Sequence, residues 1–137
     1  MIYIDSNVFF YAKIMDRKYG KACAKILEDE DVANGKIKAC ISPLVAIEVA
    51  NPLRKYGIKG IKDTIDAILS LDIEVHPIDE IIVRMAAEIF DKFGISPYDC
   101  IHATTLHARG IKEIISADKE FDKIKNIKRI DPLRYED

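Results

Sequence analysis

The sequence predicts an α/β sandwich on a short, mainly parallel sheet, and three observations carry that prediction. Brief apolar runs rich in isoleucine alternate with longer stretches whose apolar residues recur every three or four positions. Gly or Pro stands at most junctions between the two patterns. The chain has 137 residues, 49% of them hydrophobic, enough for one core and too few for two ordinary domains, so one domain over residues 1–137 is expected. Strands that alternate with helices pair in parallel because each helix carries the chain back across the sheet.

Each element has its own signal. Ile2, Tyr3 and Ile4 form a first strand ended by Asp5, and Val8 to Ala12 and Ala22 to Leu27 read as helical pieces. Lys38 to Ile41 is a second strand. Ser42 and Pro43 then supply the cap and first turn of a helix reaching about Tyr56, closed by Gly57. Ile58, Ile61, Ile65, Ile68 and Leu69 mark an amphipathic helix, and Ile73 to His76 before Pro77 is a third strand. Ile82, Met85, Ala86, Ile89, Phe90 and Phe93 predict one helix ending at Gly94. Ser96-Pro97-Tyr98-Asp99 opens the next, with the Ser and acid of a capping box, and Gly110 stops it. Glu113 to Ala117 is a strand bounded by Asp118, Phe121 and Ile124 suggest a helical turn, and Ile127 to Ile130 is a last edge strand.

Charge and composition exclude several classes. Lys and Arg number 21 against 23 Asp and Glu, a net charge of −2, so affinity cannot rest on a large basic surplus. No apolar run reaches the length of a membrane span, and the N-terminus lacks the pattern of a signal peptide. Cys23, Cys40 and Cys100 are widely spaced, without a CxxC pair or a His at zinc-ligand distance, which fits a reduced, cytoplasmic setting.

Candidate chemistry lies where acids interrupt apolar patterns, because burying a carboxylate needs compensation. Glu48 falls within Leu44-Val45-Ala46-Ile47-Glu48-Val49-Ala50, on the apolar stripe of its helix, and Asp99 falls within Pro97-Tyr98-Asp99-Cys100-Ile101-His102-Ala103. Taken singly, Glu48 reads as an acid paired with a stray cation and Asp99 as a helix cap. Asp5 and Asp118 stand at the carboxyl ends of predicted strands, where open parallel sheets bind ligands, although each also reads as an N-cap. A parallel sheet can bring all four into one crevice. Their mutual repulsion then calls for protons or cations, and an all-oxygen set selects Mg²⁺ or Mn²⁺ over zinc. The natural use of such a set is metal-assisted phosphodiester hydrolysis.

These residues resemble those of the PIN-domain ribonucleases, a family that includes the toxins of VapBC toxin–antitoxin pairs. Asp5-Ser6-Asn7-Val8 after the first strand looks like the opening motif, and Ser42 to Val49 like the Glu-bearing helix. Ser96 to Ala103 looks like the third-acid helix, and Ser116-Ala117-Asp118-Lys119-Glu120-Phe121 like the closing segment. The resemblance implies a three-layer α/β/α PIN-like domain and a Mg²⁺- or Mn²⁺-dependent endoribonuclease. Asp5, Glu48, Asp99 and Asp118 would be its catalytic, metal-holding quartet, and Ser6, Asn7 and Ser116 would support them. Cys100 departs from the small apolar residue common there and reads as packing. A toxin of this kind would act as a homodimer silenced by a small antitoxin whose C-terminal segment enters the acidic groove. The alternatives are a stand-alone PIN nuclease in ribosomal RNA maturation or RNA turnover, and a catalytically silent PIN-like binding module. An aspartyl-nucleophile phosphatase is disfavoured, since Asn7 stands where its second Asp belongs.

Other residues carry weaker expectations. His102, one turn after Asp99, reads as a partly buried structural residue ahead of a proton shuttle. Asp122 reads as solvated. Arg54 and Lys55, with Lys59 and Lys62, form one basic stretch, and Lys119, Lys123, Lys125, Lys128 and Arg129 form a second beside the fourth acid. Solvated surface is the default for both, and Arg54, Lys55, Lys119 and Lys123 are the candidates to hold an RNA backbone.

Overall fold

A computed structural model describes residues 1–28, 32, 35 and 37–135. Its sheet has five strands, β1 (Ile2–Ile4), β2 (Ala39–Ile41), β3 (Glu74–Val75), β4 (Glu113–Ile115) and β5 (Lys128–Ile130), in the order β3-β2-β1-β4-β5. All four pairings are parallel; Tyr3 sits opposite Cys40 on one side and Ile114 on the other.

Six helices surround the sheet: α1 (Ser6–Ile14), α2 (Gly20–Glu28), α3 (Pro43–Lys55), α4 (Ile61–Leu69), α5 (Glu80–Ala87) and α6 (Pro97–Ala108). The chain steps from β1 through β2 to β3 in one direction, then returns past β1 to β4 and β5. Right-handed crossovers in opposite directions place α1–α4 on one face and α5–α6 on the other, which makes the three layers. The contacts agree: α1 packs on α2 and α3, α3 on α4, and α5 on α6. One buried cluster runs through these layers, with Tyr3, Ile4, Val45, Leu53, Leu106, Ile114 and Phe121 each fully or almost fully enclosed.

Element identities match the sequence reading, and three boundaries and one cap differ for local reasons. The helix expected from Ile58 starts at Ile61, because Gly60 precedes it with φ +74°, a left-handed conformation that breaks the turn. α5 ends at Ala87. Glu88, Ile89 and Phe90 turn instead through N–H bonds to the carbonyls three residues back, while Ile89, Phe90 and Phe93 still pack on the core. β4 stops at Ile115, two residues short of Ala117, freeing Ser116 and Ala117 to bond the α1 side chains described below. Ser42 occupies the N-cap position of α3 without capping it; its hydroxyl is taken by Tyr3. Gly20 opens α2 where a Cβ would lie 2.7 Å from the Met15 carbonyl carbon, so no larger residue fits between α1 and α2.

Candidate functional site

Strand order changes direction at β1, and the crevice between the carboxyl ends of β1 and β4 is where such a sheet offers a site. Asp5 leaves β1 there. Its Oδ1 accepts from the Ser6 N–H at 2.8 Å, and its Oδ2 accepts from the Ser116 hydroxyl at 2.6 Å and the Asn7 amide at 3.0 Å. Asn7 also donates to Ser116 Oγ and accepts from the Ala117 N–H, and Ser116 Oγ accepts from the Asp118 N–H. Asp5 is thus fixed from α1 and from the end of β4 together. Burial raises its carboxyl above the usual range, against the His102 charge and the Ser116 bond, which lower it.

A second chain of contacts fixes Glu48. The Tyr3 hydroxyl donates to Ser42 Oγ at 2.8 Å and lies 2.6 Å from His102 Nδ1. With the phenolic proton on Ser42, Nδ1 is the donor to the Tyr3 oxygen, and the opposite ring nitrogen, Nε2, meets Glu48 Oε1. Tyr3, Ser42 and His102 are fully buried, and the Glu48 side chain is 24% exposed. Burial alone would lower the His102 pKa; the Glu48 hydrogen bond and the charges of Asp5, Glu48 and Asp99 outweigh it and raise the pKa. Helices from opposite layers meet here because the strands between them are only two or three residues long.

Asp99 lies on the first turn of α6, its N–H held by Ser96 Oγ at 3.1 Å. Burial, the charges of Asp118 and Asp5, and a hydrogen bond with Asp118 push its carboxyl up to about 7, against the His102 charge. Asp118 caps the 3₁₀ turn Lys119–Lys123 through the Glu120 N–H.

The donor set suits a divalent cation. One ligand atom each from Asp5, Glu48 and His102 lie within 4.8 Å of one another, and Asp99 feels the charges of Asp118 and Asp5. Among the described residues no Lys or Arg pairs with any of the four acids. Carboxylates gathered around a single imidazole retain protons or take up a cation, and a set of carboxylates with one His suits a divalent metal ion.

The four sequence-predicted acids therefore meet at one end of the sheet. Asn7 and Ser116 touch Asp5 with their side chains, whereas Ser6 does so through its backbone. His102 and Tyr3 are the residues that pattern reading undervalued. A Tyr inside a three-residue apolar strand was the available signal, since its hydroxyl must find a partner when buried. The basic segment after Asp118 is largely engaged elsewhere. Lys123 pairs with Glu120 and Lys128 with Glu113, while Arg129, 11% exposed, clasps Asp122 through two bonds and the Ser116 carbonyl through a third. Asp122 is held outside the cluster, and Lys119 is exposed beside it. Arg54 and Lys55 are exposed at the end of α3 and form no ion pair among the described residues.

Fold and site together define an α/β protein with an acidic crevice beyond the ends of parallel strands. The chain belongs to the PIN domain family, whose model matches residues 2–127. Its fold is similar to that of Mycobacterium tuberculosis VapC20, described as a sarcin-ricin loop cleaving toxin, with a TM-score of 0.74, 16% identity, and 89% of this chain and 93% of that chain covered. It is also similar to a toxin–antitoxin complex from Klebsiella pneumoniae (TM-score 0.68, 16% identity, 96% and 98% covered). A third similar structure is VapBC2 from Rickettsia felis bound to a promoter DNA fragment (TM-score 0.65, 18% identity, 95% and 98% covered). None of the curated proteins compared matches the sequence. Among the described residues no helix is long and apolar enough to cross a membrane.

Proposed function

We propose that this PIN domain is a Mg²⁺- or Mn²⁺-dependent endoribonuclease of the VapC toxin type, with Asp5, Glu48, Asp99 and Asp118 as its catalytic acids. The observation that carries the reading is the gathering of these acids, without a Lys or Arg partner, at the direction change of a parallel sheet. A bound divalent cation would lower the pKa of the attacking water and offset charge on the phosphodiester. The residues of the chain do the rest. Asp5 and Glu48 are oriented before substrate arrives, by Ser116 and Asn7 in one case and His102 in the other. Asp99, whose carboxyl is raised to about 7 by burial and by the charges of Asp118 and Asp5, would give up its proton as the cation binds.

Partners follow from surfaces away from the acids. A groove of about 480 Å³ between α1, α2 and α4, where Phe9, Leu27 and Ile68 are rimmed by Lys13, Lys59 and Asp63, suits a short amphipathic antitoxin helix. Ile81 and Met85, one turn apart on α5 and 65% and 44% exposed, supply an apolar face for a homodimer. Both fit a cytoplasmic toxin held by its antitoxin. The test is cleavage of RNA by the purified chain with Mn²⁺. Asp5→Asn and Asp99→Asn should each lower the rate at least about 100-fold; retained cleavage in either would remove that residue from the site.

A further inference from the structure

The segment that carries Asp118 is grasped at both ends by one side chain. It leaves β4 at Ser116 and continues through the 3₁₀ turn Lys119–Lys123. Arg129 stands opposite Ile114 on the edge strand β5 and donates from Nη1 to the Ser116 carbonyl at 3.0 Å. The same guanidinium holds Asp122 as a fork, with Nε 3.0 Å from Oδ1 and Nη2 3.2 Å from Oδ2. Asp131 Oδ2 lies 3.7 Å from Nη1 on the β5 side. One side chain thus fixes the chain two residues before Asp118 and four residues after it.

Both grasped points lead to the acids. The Ser116 N–H donates to the Ile130 carbonyl at 3.0 Å, so both backbone polar groups of Ser116 are held by β5. Its hydroxyl donates to Asp5 and accepts from the Asp118 N–H. On the inner side of the turn Phe121 is fully buried, with its ring centre 6.5 Å from that of His102. On the outer side the Glu120–Lys123 pair closes within the turn itself, which leaves Asp122 as the side chain that ties this surface to the sheet. Ion pairs at a surface contribute little to stability, and the Asp122 side chain is 54% exposed. Arg129 is 11% exposed, and a planar two-bond fork fixes direction as well as distance, so the pair suits placement more than it suits stabilisation.

We propose that Arg129 is a positioning residue of the metal site: by closing the segment from Ser116 to Asp122 it sets where the Asp118 carboxylate stands and keeps Ser116 against Asp5. Asp122 lies outside the acid cluster and acts through Arg129. This rests on the nuclease reading above, and it makes the edge strand β5 part of the support of the site. Charge alone predicts the opposite outcome. Arg129 is a cation beside a site for cations, so its removal should tighten Mn²⁺ if it acts only by its field, and should weaken Mn²⁺ if it places the acids.

The test is Mn²⁺ binding to the full chain by isothermal titration calorimetry, with RNA cleavage measured in parallel and circular dichroism to establish that each variant is folded. Arg129→Met and Asp122→Ala should each weaken Mn²⁺ roughly 10-fold. Glu120→Ala removes the same charge from the same turn without touching the clasp, and should stay within about 2-fold. At a Mn²⁺ concentration below saturation kcat should fall in the first two variants while KM for RNA holds, because the clasp acts on the acids and not on substrate. Unchanged or tighter Mn²⁺ binding by folded Arg129→Met overturns the proposal; if that variant does not fold, Asp122→Ala, made at an exposed side chain, decides alone. Equal losses in Asp122→Ala and Glu120→Ala also overturn it, since they report charge without placement. Each of these outcomes leaves the nuclease reading standing when the wild type binds Mn²⁺ and cleaves RNA. A wild type that does neither overturns the two together.

Discussion

Replacing Tyr3 by Phe removes one oxygen atom from the centre of the sheet and is expected to unsettle both the fold and Glu48. The hydroxyl bonds Ser42 at 2.8 Å and His102 at 2.6 Å, and all three residues are fully buried, so no water takes its place. The ring and its packing remain. What is lost is the partner of two buried polar groups, each costing about 1–3 kcal/mol when left unsatisfied, or about 2–6 kcal/mol together. A domain of this size has about 5–15 kcal/mol in total, and about 3–5 °C of melting temperature per kcal/mol gives a fall of roughly 6–30 °C. The assay is thermal and urea denaturation by far-UV circular dichroism, with His102→Leu and the double variant as controls. Replacing both ends of a buried hydrogen bond by apolar groups costs less than stranding one end, so the double variant should fall well short of the two single losses added together. A Tyr3→Phe protein within about 0.5 kcal/mol of wild type, or strict additivity, would refute the buried relay.

Within the site the pH dependence of the metal-free protein has one sign. Asp5, Asp99 and His102 all hold their protons more tightly folded than unfolded, so their contribution to stability is greatest in acid, and the Asp99 share is lost as pH rises from its ordinary 3.8 through about 7; His76, whose pKa burial lowers, opposes them. A melting temperature that climbs from acid to neutral pH without metal would contradict this. Mn²⁺ at a hundredfold excess over its dissociation constant should restore about 2.7 kcal/mol at neutral pH, and the gain should vanish in Asp5→Asn. Asn7→Ala, which cuts the bonds to Asp5, Ser116 and Ala117, should cost about 1–3 kcal/mol and lower cleavage further than stability explains, read by melting and rate together. Arg129→Met should destabilise by about 1–3 kcal/mol, since it removes the side-chain donor to the Ser116 carbonyl, whereas Lys123→Ala, which breaks only an exposed pair, should stay within about 0.5 kcal/mol.

Periodicity made the order of strands and helices legible, and apolar runs broken by Asp5, Glu48, Asp99 and Asp118 made the acids legible, because both are local properties of the chain. What stayed hidden depends on partners distant in sequence. Ser42 reads as a cap from its neighbours, yet its hydroxyl serves Tyr3, 39 residues away. Arg129 reads as a free cation, yet its guanidinium is spent on Asp122 and Ser116. The end of α5 was misread for another reason: Ile89, Phe90 and Phe93 keep a helical spacing and pack on the core even though the backbone has left the helix. Apolar spacing reports which residues are buried, and backbone geometry only through that.

The bond between Asp5 and Ser116 joins residues 111 positions apart, and the contact between Tyr3 and His102 spans 99. The central strand β1 is synthesised well before β4, and it waits for that later segment to complete its pairing. A nascent chain that has reached α5 already contains Asp5 and Glu48 but lacks Asp99, His102, Ser116 and Asp118. Closing such long loops is slow relative to forming a helix. Synthesis and activation are therefore separated in time, and a chain stalled partway carries half an acid cluster and no means of holding it in place.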